Sequence, residues 1–525
     1  MYYHINYSLR KRGGIYVSMK KRVLSFSLLI IMLASLLPVG SLAASDAYYE
    51  EVYQWNLMIY EALPAGDRIP RSYLEPVYGV TRDYSDITAL AGTIIAGASS
   101  DYEKAEAVHR WVAGNIWYGE QQDLTSANDI LNTRTGICGD YSALAVALLR
   151  GAGIPAFVVY GSANIPDSAQ IRLSQLAAED HIWNLAYADD QWIIMDATFD
   201  SKNHIVDGEY SPQQPAGTDF FDIPLSEFSI SHVFTARTGI FASEFIVPDA
   251  ISEIPPWAFR GCTSLRNLIV PNANTRVGLG LFGGCSLKNI TIFGHPGTSA
   301  EAGAERNRVS FRAGFTGDLD APNTDVASRW AVDGIRSAVA KGFVPGYIQD
   351  SYTDAITREE FVLMAIRFIE YYLGDSIDMI MAQRGVMRDQ RRIFSDTAAN
   401  CDILAAYALG IINGTEAPVE ILPPDPLTGD IGSIQPGKFS PDGELTREQA
   451  AVIMRNLCQT LGMDVSDASD QGFADITSAS AWAADSINFA RAAGIMAGTG
   501  SAPPMFSPKE LFTRQESMIV FDRIR

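Results

Sequence analysis

This chain of 525 residues is poor in several features that mark common protein classes. Its five cysteines are too few for a disulfide framework at this length, and no two form the Cys-x-x-Cys pair of a zinc knuckle or redox motif. Basic residues are also scarce, with 40 lysines and arginines against 61 aspartates and glutamates. The negative charge argues against nucleic acid and anionic lipid headgroups as partners.

Long apolar runs are absent after the N-terminus. Basic residues at 20–22 precede an apolar run at 23–37, and small residues follow up to Ala43. This order is typical of a secretory signal peptide, so we expect export, cleavage near Ala43 and no span in the mature chain, with Met19 as the natural start. A retained anchor is the alternative, although a membrane helix needs roughly 20 residues. Without residues 1–43, 34 basic residues face 61 acidic ones, a net charge of −27.

The rest of the composition is that of folded protein, with 47% hydrophobic and 19% charged residues. At roughly 100–200 residues per domain, the length predicts several domains rather than one. An odd number of cysteines in an exported chain leaves at least one thiol unpaired, and that thiol needs a chemical explanation.

One cysteine stands at a predicted helix start. Residues 135–141 read Thr-Gly-Ile-Cys-Gly-Asp-Tyr, and a helix is predicted from about 139 to 150, with glycines beyond it. The helix dipole and the free N–H groups there favour a thiolate at Cys138 and could stabilise an oxyanion. Taken alone, an inert buried cysteine is the simpler interpretation.

A histidine and an aspartate lie on a predicted hairpin further along. Residues 182–188 and 191–197 alternate like two strands that turn at Asp189-Asp190. If they pair symmetrically about that turn, His181 and Asp196 are diagonal neighbours on one face, about 7–8 Å apart along the backbone. A carboxylate can then orient the imidazole, and the imidazole can activate the thiol.

These motifs, Gly-x-Cys-x-Asp-Tyr, His-x-Trp-Asn and Asp-x-Thr, resemble the transglutaminase-like superfamily over about 80–235. The resemblance implies a papain-like α+β fold with Cys138 as the nucleophile, His181 as the base and acid, and Asp196 as its orienting group. It implies no cofactor and no metal.

The remaining candidates have weaker contexts. His109 falls on a predicted helix, and His204 and His232 fall in predicted loops. Residues 140–141 are expected to support the helix start. Residues 117–118, Trp-Tyr, end a predicted helix over 100–118 and either line an oxyanion pocket or belong to the core.

A short repeat begins near residue 239. Residues 258–265 recur as 281–287, which sets Cys262 and Cys285 apart by 23 residues, and each copy leads into a short apolar strand. The pattern resembles BspA-like leucine-rich repeats. Two copies are few for a free-standing solenoid, because each repeat buries its face on a neighbour. We expect a spacer packed on an adjacent domain, with a binding surface as the alternative, and the two cysteines as stacked core residues.

A longer pattern occurs three times in the last 200 residues. Each copy has an Asp, an aromatic position, a Gly-x-x-x-Gly turn and a Thr-Arg pair at a helix cap. The copies contain Asp325, Trp330, Gly342, Thr357 and Arg358; Asp396, Cys401, Gly410, Thr446 and Arg447; and Asp475, Trp482, Gly494, Thr513 and Arg514.

This pattern resembles a triplet of S-layer homology (SLH) domains. The resemblance implies a mostly helical, three-fold arrangement that binds an anionic, often pyruvylated, secondary cell-wall polysaccharide. Gln449 in place of the motif Glu, and Cys401 in place of Trp, weaken the second copy, so its arginine is expected to matter least. The residues implied in polymer binding are Arg358, Arg447, Arg514, Trp330, Trp482, Asp325, Asp396 and Asp475.

The sequence therefore predicts a multidomain α+β protein on the surface of a Gram-positive-type bacterium. Its predicted function is a wall-anchored cysteine enzyme acting on peptide or protein amides; the alternative is a non-enzymatic surface or adhesion module that uses the repeats. The predicted segments are 1–43 signal peptide, 44–79 helical segment, 80–235 transglutaminase-like domain, 236–311 leucine-rich repeats, 312–323 linker, and SLH repeats at about 324–372, 393–462 and 472–525.

Overall fold

The structure is a computed structural model. It describes residues 39–74, 84–119, 126–164, 170–239, 241–314, 324–349, 351–388, 391–397, 400–422, 433–498 and 503–524. The basic and apolar parts of the predicted signal peptide, Met19 and most of the predicted linker lie outside these ranges. Within them, no helix combines the length and the apolar character needed to cross a bilayer.

The N-terminal half begins with five helices. Ser100 caps the third by accepting a hydrogen bond from the N–H of Glu103, 3.1 Å away. That helix ends at Asn115, before the predicted end at residue 118, because residues 117–118 pair as a strand with residues 135–136. The helices are α1 (Val39–Glu61), α2 (Tyr84–Ile94), α3 (Asp101–Asn115), α4 (Ala127–Thr133) and α5 (Cys138–Gly151).

A four-stranded antiparallel sheet packs against this helical layer. The strands of this half are β1 (Trp117–Tyr118), β2 (Thr135–Gly136), β3 (Ala156–Ala163), β4 (His181–Ala188), β5 (Gln191–Met195), β6 (Ile205–Val206), β7 (Glu209–Tyr210) and β8 (His232–Phe234), with the short helix α6 (Leu225–Phe228) before β8. The main sheet has the order β5-β4-β3-β8. Ala188 pairs with Gln191 and Asn184 with Met195, which confirms the predicted hairpin register. Asp189 and Asp190 both have positive φ, as the two-residue turn of a hairpin requires.

The leucine-rich segment is a parallel ladder. Its main strands are β9 (Glu244–Ile246), β11 (Asn267–Val270), β13 (Thr291–Gly294) and β14 (Ser310–Ala313), with β10 (Glu253–Ile254) paired to β12 (Arg276–Val277) and α7 (Ser299–Asn307) near the end. Glu244 lies opposite Asn267, one 23-residue period away. Cys262 is fully buried, and Cys285 Sγ lies 3.3 Å from the carbonyl oxygen of Cys262, so the two cysteines stack as predicted. The apolar core of this segment is continuous with that of α1 and the sheet.

The C-terminal part contains three helical units with one shared core. Each unit pairs a first helix with a second helix that begins after a capping threonine. The elements are α8 (Val332–Ala340), α9 (Arg358–Leu373), α10 (Ile377–Gln383), α11 (Cys401–Ala408), β15 (Val419–Leu422), β16 (Ser433–Gln435), α12 (Arg447–Thr460), α13 (Ala484–Ala492) and α14 (Arg514–Asp522).

The three units close into a ring of backbone hydrogen bonds. The N–H of Ile356 donates to Phe512 O at 2.8 Å, that of Leu445 to Ile356 O at 3.0 Å, and that of Phe512 to Leu445 O at 2.7 Å. The first N–H of each Thr-capped helix donates to a carbonyl of another unit, as Arg358 N does to Gly443 O at 2.9 Å. Each unit thus satisfies the free N–H groups of another unit's helix, and this produces the predicted three-fold arrangement.

One detail of the second unit differs from the sequence prediction. Trp330 and Trp482 lie two residues before α8 and α13 and are exposed, whereas Cys401 is the first residue of α11 and is buried. The segment between the Asp and the first glycine is shorter in this unit, so Cys401 is not the equivalent of the tryptophans. The equivalent positions are 398–399, outside the described residues.

Candidate active site

Cys138 is the first residue of α5, and its side chain is half-buried. Asp140 closes the helix start, because its Oδ2 accepts a hydrogen bond from the N–H of Ile137 at 2.8 Å. The Tyr141 hydroxyl donates to the carbonyl of Ile116 at 2.6 Å, and this hydrogen bond holds the same helical turn in place. Asp140 and Tyr141 therefore support the helix start, as expected. At this first helical position the N–H of Cys138 has no carbonyl acceptor within the helix.

His181 and Asp196 are brought together by the β4–β5 hairpin. His181 is the first residue of β4, and Asp196 directly follows β5. Their side chains meet with Nε2 of His181 2.5 Å from Oδ2 of Asp196, and both residues are buried. The His181 side chain also interacts with that of Cys138. Since Nε2 faces the aspartate, Nδ1 is the nitrogen left for the thiol. The three predicted catalytic side chains thus form one connected network.

A second histidine completes the surroundings of Asp196. His232, predicted in a loop, instead begins β8 and is fully buried. That prediction was wrong because β8 pairs with β3, which lies on the opposite side of β4 from β5. No local sequence pattern marks this pairing. Its Nε2 lies 3.1 Å from Oδ2 of Asp196, and its Nδ1 lies 2.7 Å from the hydroxyl of Ser231. Phe228 stacks on its ring at 4.0 Å.

The carboxylate of Asp196 accepts four hydrogen bonds. Its Oδ1 accepts from the N–H groups of Thr198 at 2.9 Å and Phe199 at 3.1 Å, while Oδ2 faces the two imidazoles. This set of donors holds the carboxylate in one position although it is fully buried. A carboxylate fixed in this way fixes the orientation of His181 in turn.

The charges of the network follow from burial and from these contacts. Burial lowers the pKa of His181, but the Asp196 carboxylate outweighs burial and raises that pKa well above the ordinary histidine value. Burial raises the pKa of Asp196, but the two imidazoles outweigh it and hold that pKa well below the usual range. Burial lowers the pKa of His232. At neutral pH, therefore, His181 is an imidazolium beside a carboxylate, and His232 is a neutral donor to the same oxygen.

The same three residues are also those whose donor atoms lie close enough to be considered for a metal. Ligand atoms of His181, Asp196 and His232 lie within 4.8 Å of one another. However, the His181 nitrogen and the Asp196 oxygen are 2.5 Å apart, whereas two ligands of one tetrahedral zinc ion are separated by about 3.3 Å. A spacing this short is that of a hydrogen bond. The cluster is therefore a hydrogen-bonded network rather than a set of separated metal ligands.

Of residues 117–118, Trp117 is half-buried and Tyr118 lies beside the site. The indole N–H of Trp117 donates to the carbonyl of Ser211 at 2.9 Å, so this N–H is not directed at an oxyanion. Tyr118 is 38% exposed, and its pKa is raised by burial and by the nearby Cys138 and Asp196 side chains. Tyr118 thus stands at the solvent side of the network, where a substrate would approach.

The three motif arginines of the C-terminal ring are held by neighbouring units. Nε of Arg358 donates to Phe439 O and Nε of Arg447 to Phe506 O, each at 2.8 Å. Arg514 instead makes a two-pronged contact with Glu360, at 3.2 and 2.8 Å. All three therefore serve the ring itself, whatever else they bind.

The aspartates and tryptophans of the pattern have different surroundings. Asp396 accepts from the N–H groups of Phe439 and Ser440, and Asp475 accepts from the equivalent pair in the third unit, so both hold their own unit together. Asp325 lies in an exposed turn. Trp330 and Trp482 are 63% and 58% exposed, which is unusual for indoles and leaves their rings available to a ligand.

Comparisons with known proteins agree with this layout. Residues 88–197 match the transglutaminase-like superfamily, residues 233–300 the BspA type leucine rich repeat region (6 copies), and residues 472–516 the S-layer homology domain. The chain therefore carries a transglutaminase-like core, a BspA-type leucine-rich segment and an SLH domain. The SLH match covers the third unit only.

Individual relatives are distant. The kyphoscoliosis peptidase of Mus musculus is 26% identical over 155 residues, which are 28% of this chain and 23% of that protein. The chain thus spans about a quarter of that relative's length. Among solved structures, a candidate cysteine protease of Cytophaga hutchinsonii is 29% identical over 25% of this chain and 43% of its own, with a TM-score of 0.21. The periplasmic domain of TgpA from Pseudomonas aeruginosa, bound to ethylmercury, is 20% identical over 26% and 51%, also with a TM-score of 0.21.

Proposed function

We propose that this protein is an exported, wall-anchored cysteine enzyme that cleaves or transfers peptide or protein amide bonds through a thioester. The observation that carries the proposal is the network in which His181 is hydrogen-bonded to Asp196 and interacts with Cys138, with the cysteine at a helix N-terminus. A structural cysteine needs neither the imidazole nor the carboxylate behind it.

The chemistry follows from the positions of the protons. The Cys138 thiolate, paired with the His181 imidazolium, attacks the carbonyl carbon of an amide and forms a tetrahedral intermediate. The N–H of Cys138 at the helix start stabilises the oxyanion. His181 then donates its proton to the leaving amine, the C–N bond breaks, and a thioester remains on Cys138. His181, now neutral, accepts a proton from water or from an acceptor amine, which attacks the thioester and regenerates the thiolate.

Asp196 and His232 act through His181 and not on the substrate. Asp196 stabilises the imidazolium and fixes its orientation, and its own position is fixed by His232 and two backbone N–H groups. His232 is thus a positioning residue. Whether water or an amine takes the acyl group is decided by access at the exposed side of the site, near Tyr118.

The anchoring part of the proposal rests on the C-terminal ring and its SLH match. The chain is strongly acidic, so non-specific attraction to an anionic wall is unfavourable. Binding must therefore come from local cationic and aromatic groups. We propose that the ring binds a secondary cell-wall polysaccharide through acidic, for example pyruvylated, substituents.

An activity screen tests the enzymatic part. The full chain is incubated with peptide amides, and with a glutamine-containing peptide plus a labelled amine, which separate hydrolysis from acyl transfer. We expect one of the two products, and we expect Cys138→Ala to abolish it. Cys285→Ala is the matched control, because that cysteine is also half-buried but has no histidine partner. Equal turnover by the parent and by Cys138→Ala would refute the proposal. So would a folded parent whose Cys138 forms no thioester with any of these probes, which is the behaviour expected of a binding module.

A further inference from the structure

Two grooves on the C-terminal ring have equivalent linings. The first groove has a volume of about 480 Å³ and is lined by Arg358, Asn413, Gln449 and Trp482, among others. The second groove has about 260 Å³ and is lined by Arg447, Ala497, Glu516 and Trp330, among others. In each, one unit supplies the motif arginine, the next supplies the glycine turn and one face of its Thr-capped helix, and the third supplies an exposed tryptophan.

The same rule defines a third groove. Its arginine is Arg514, and the matching face of α9 presents Glu360, Leu363 and Arg367 at three, six and ten residues after the capping threonine. The open grooves have Asn456 and Arg523 at the last of these positions.

In the third groove, however, the leucine-rich segment occupies this site. Arg367 donates from Nε to the side-chain oxygen of Asn289 at 3.1 Å and from Nη2 to the carbonyl of the same residue. Leu363 is fully buried, whereas Val452 and Ile519, its equivalents in the open grooves, are only half-buried.

The cover over the third groove is a specific polar interface. Ser286 donates to Asn400 Oδ1 at 2.7 Å, and Asn289 Nδ2 donates to Asp402 Oδ2 at 2.6 Å. Arg266 joins Glu370 at 2.9 Å and Asp402 at 3.1 Å, with its guanidinium almost fully buried. Charges that are buried in this way are stable only when they are paired, so the interface is built to stay closed.

The three motif arginines also differ in their counter-charges. Glu516 neutralises Arg447 at 2.5 Å, and Glu360 neutralises Arg514 at 2.8 Å. Gln449 stands at the equivalent position facing Arg358. Its single oxygen accepts from its own helix cap, the N–H of Thr446, at 3.1 Å. Arg358 forms no ion pair with any described residue; its contacts are the carbonyl and the ring of Phe439.

We infer that one of the three grooves is permanently occupied by the leucine-rich segment, and that Arg358 in the first groove is the main site for the acidic group of the wall polymer. This inference rests on the anchoring part of the proposed function. A carboxylate of the polymer would supply the negative charge that Gln449 does not provide to Arg358. Burial lowers the pKa of Arg358, and the nearby Asp396 raises it by a smaller amount. The face of Trp482 and the amides of Asn413 and Asn456 suit the rest of a sugar.

Three single-atom exchanges test the inference on the full chain. Each swaps a carboxylate for an amide or the reverse at the third position of a Thr-capped helix, where both side chains satisfy the cap. The probe is purified wall sacculi, in a sedimentation assay. Gln449→Glu supplies Arg358 with an internal partner and should weaken binding about tenfold, while Glu516→Gln frees Arg447 and should strengthen it several-fold. Glu360→Gln, in the covered groove, should stay within about twofold of the parent.

The outcomes distinguish failure of the anchoring proposal from failure of the groove assignment. If the parent does not sediment with sacculi, the anchoring proposal itself fails. If the parent binds and Gln449→Glu binds equally well, Arg358 is not the acidic-group site. If Glu360→Gln strengthens binding as much as Glu516→Gln does, the third groove is open to the polymer and the leucine-rich cover does not exclude it. Circular dichroism of each variant establishes that the ring is intact.

Discussion

Two buried His–Asp pairs of the N-terminal domain, His109–Asp200 and His181–Asp196, differ in what lies beyond the imidazole. His109 Nε2 is 2.7 Å from Asp200 Oδ2, and His181 Nε2 is 2.5 Å from Asp196 Oδ2. Among the described residues, the Nδ1 atom of His109 is buried without a hydrogen-bond partner, whereas the His181 side chain interacts with a cysteine at a helix start. A buried His–Asp pair is therefore not by itself a candidate catalytic site; the His181–Asp196 pair differs in having a thiol beside the imidazole.

The His109–Asp200 pair has a structural task instead. Asp200 accepts the N–H groups of Asp219 and Phe220 at 2.8 and 2.9 Å and joins this loop to α3 through His109. The same loop also contacts the backbone of Asp196, whose N–H donates to Phe220 O at 2.9 Å. The structural pair thus supports the segment that carries Asp196.

The largest expected effect comes from exchanging each histidine for glutamine. His181→Gln removes the proton carrier, so amide turnover should fall by about a thousandfold or more while the fold persists. His109→Gln leaves the reacting groups in place but breaks a buried pair, which should lower the free energy of unfolding by about 3 kcal/mol. Turnover and denaturant unfolding, measured on both variants, check the contrast. Equal loss of turnover in the two folded variants would remove the distinction between the pairs.

A smaller effect is expected at His232, which contacts Asp196 of the His181–Asp196 pair. His232→Leu removes the donor to Asp196 and should slow turnover about tenfold. His232→Gln keeps an N–H near the position of Nε2 and should recover most of the rate. The comparison of these two variants, with kcat and KM measured separately, distinguishes positioning from packing. A loss that appears only in KM, or no recovery in His232→Gln, would argue against a positioning role.

The pH dependence of stability should report on the His181–Asp196 pair. The folded-state pKa of His181 is raised, so its contribution is complete below the unfolded value near 6.5 and is lost as pH rises through the folded pKa, about 10. Between pH 7 and 10, unfolding free energy should therefore decline more steeply in the parent than in His181→Gln. Asp196 has a lowered pKa, so its contribution exists above about pH 4 and is lost as pH falls. Parallel curves in the alkaline range would contradict the charged pair.

The sequence predicted the parts of the site that depend on local pattern. The symmetric hairpin turn fixed which residues of β4 and β5 face each other, and the glycines around Cys138 marked a helix start. The role of His232 could not be predicted, because β8 reaches Asp196 by pairing with β3 across the sheet. A lone histidine before an apolar Val-Phe pair carries no signal of that pairing.

The C-terminal ring shows the same division. The capping boxes at Thr357, Thr446 and Thr513 are local, and all three were predicted. The contact between Arg367 and Asn289 joins two segments with unrelated repeats and has no counterpart in either pattern. The sequence indicated that the second unit departs from the pattern of the other two, and only the fold shows that its Cys401 contacts Ser286 of the leucine-rich segment.

The most direct test of the central claim is site-resolved alkylation of the native chain by iodoacetamide at neutral pH. The other four cysteines serve as internal controls, because they lie outside the His181 network and are buried or half-buried. We expect Cys138 to be modified first, at least about tenfold faster than a cysteine in a denatured control, and to lose this advantage in His181→Gln. Modification of Cys138 no faster than the denatured control, or equally fast in His181→Gln, would contradict an activated nucleophile in this domain.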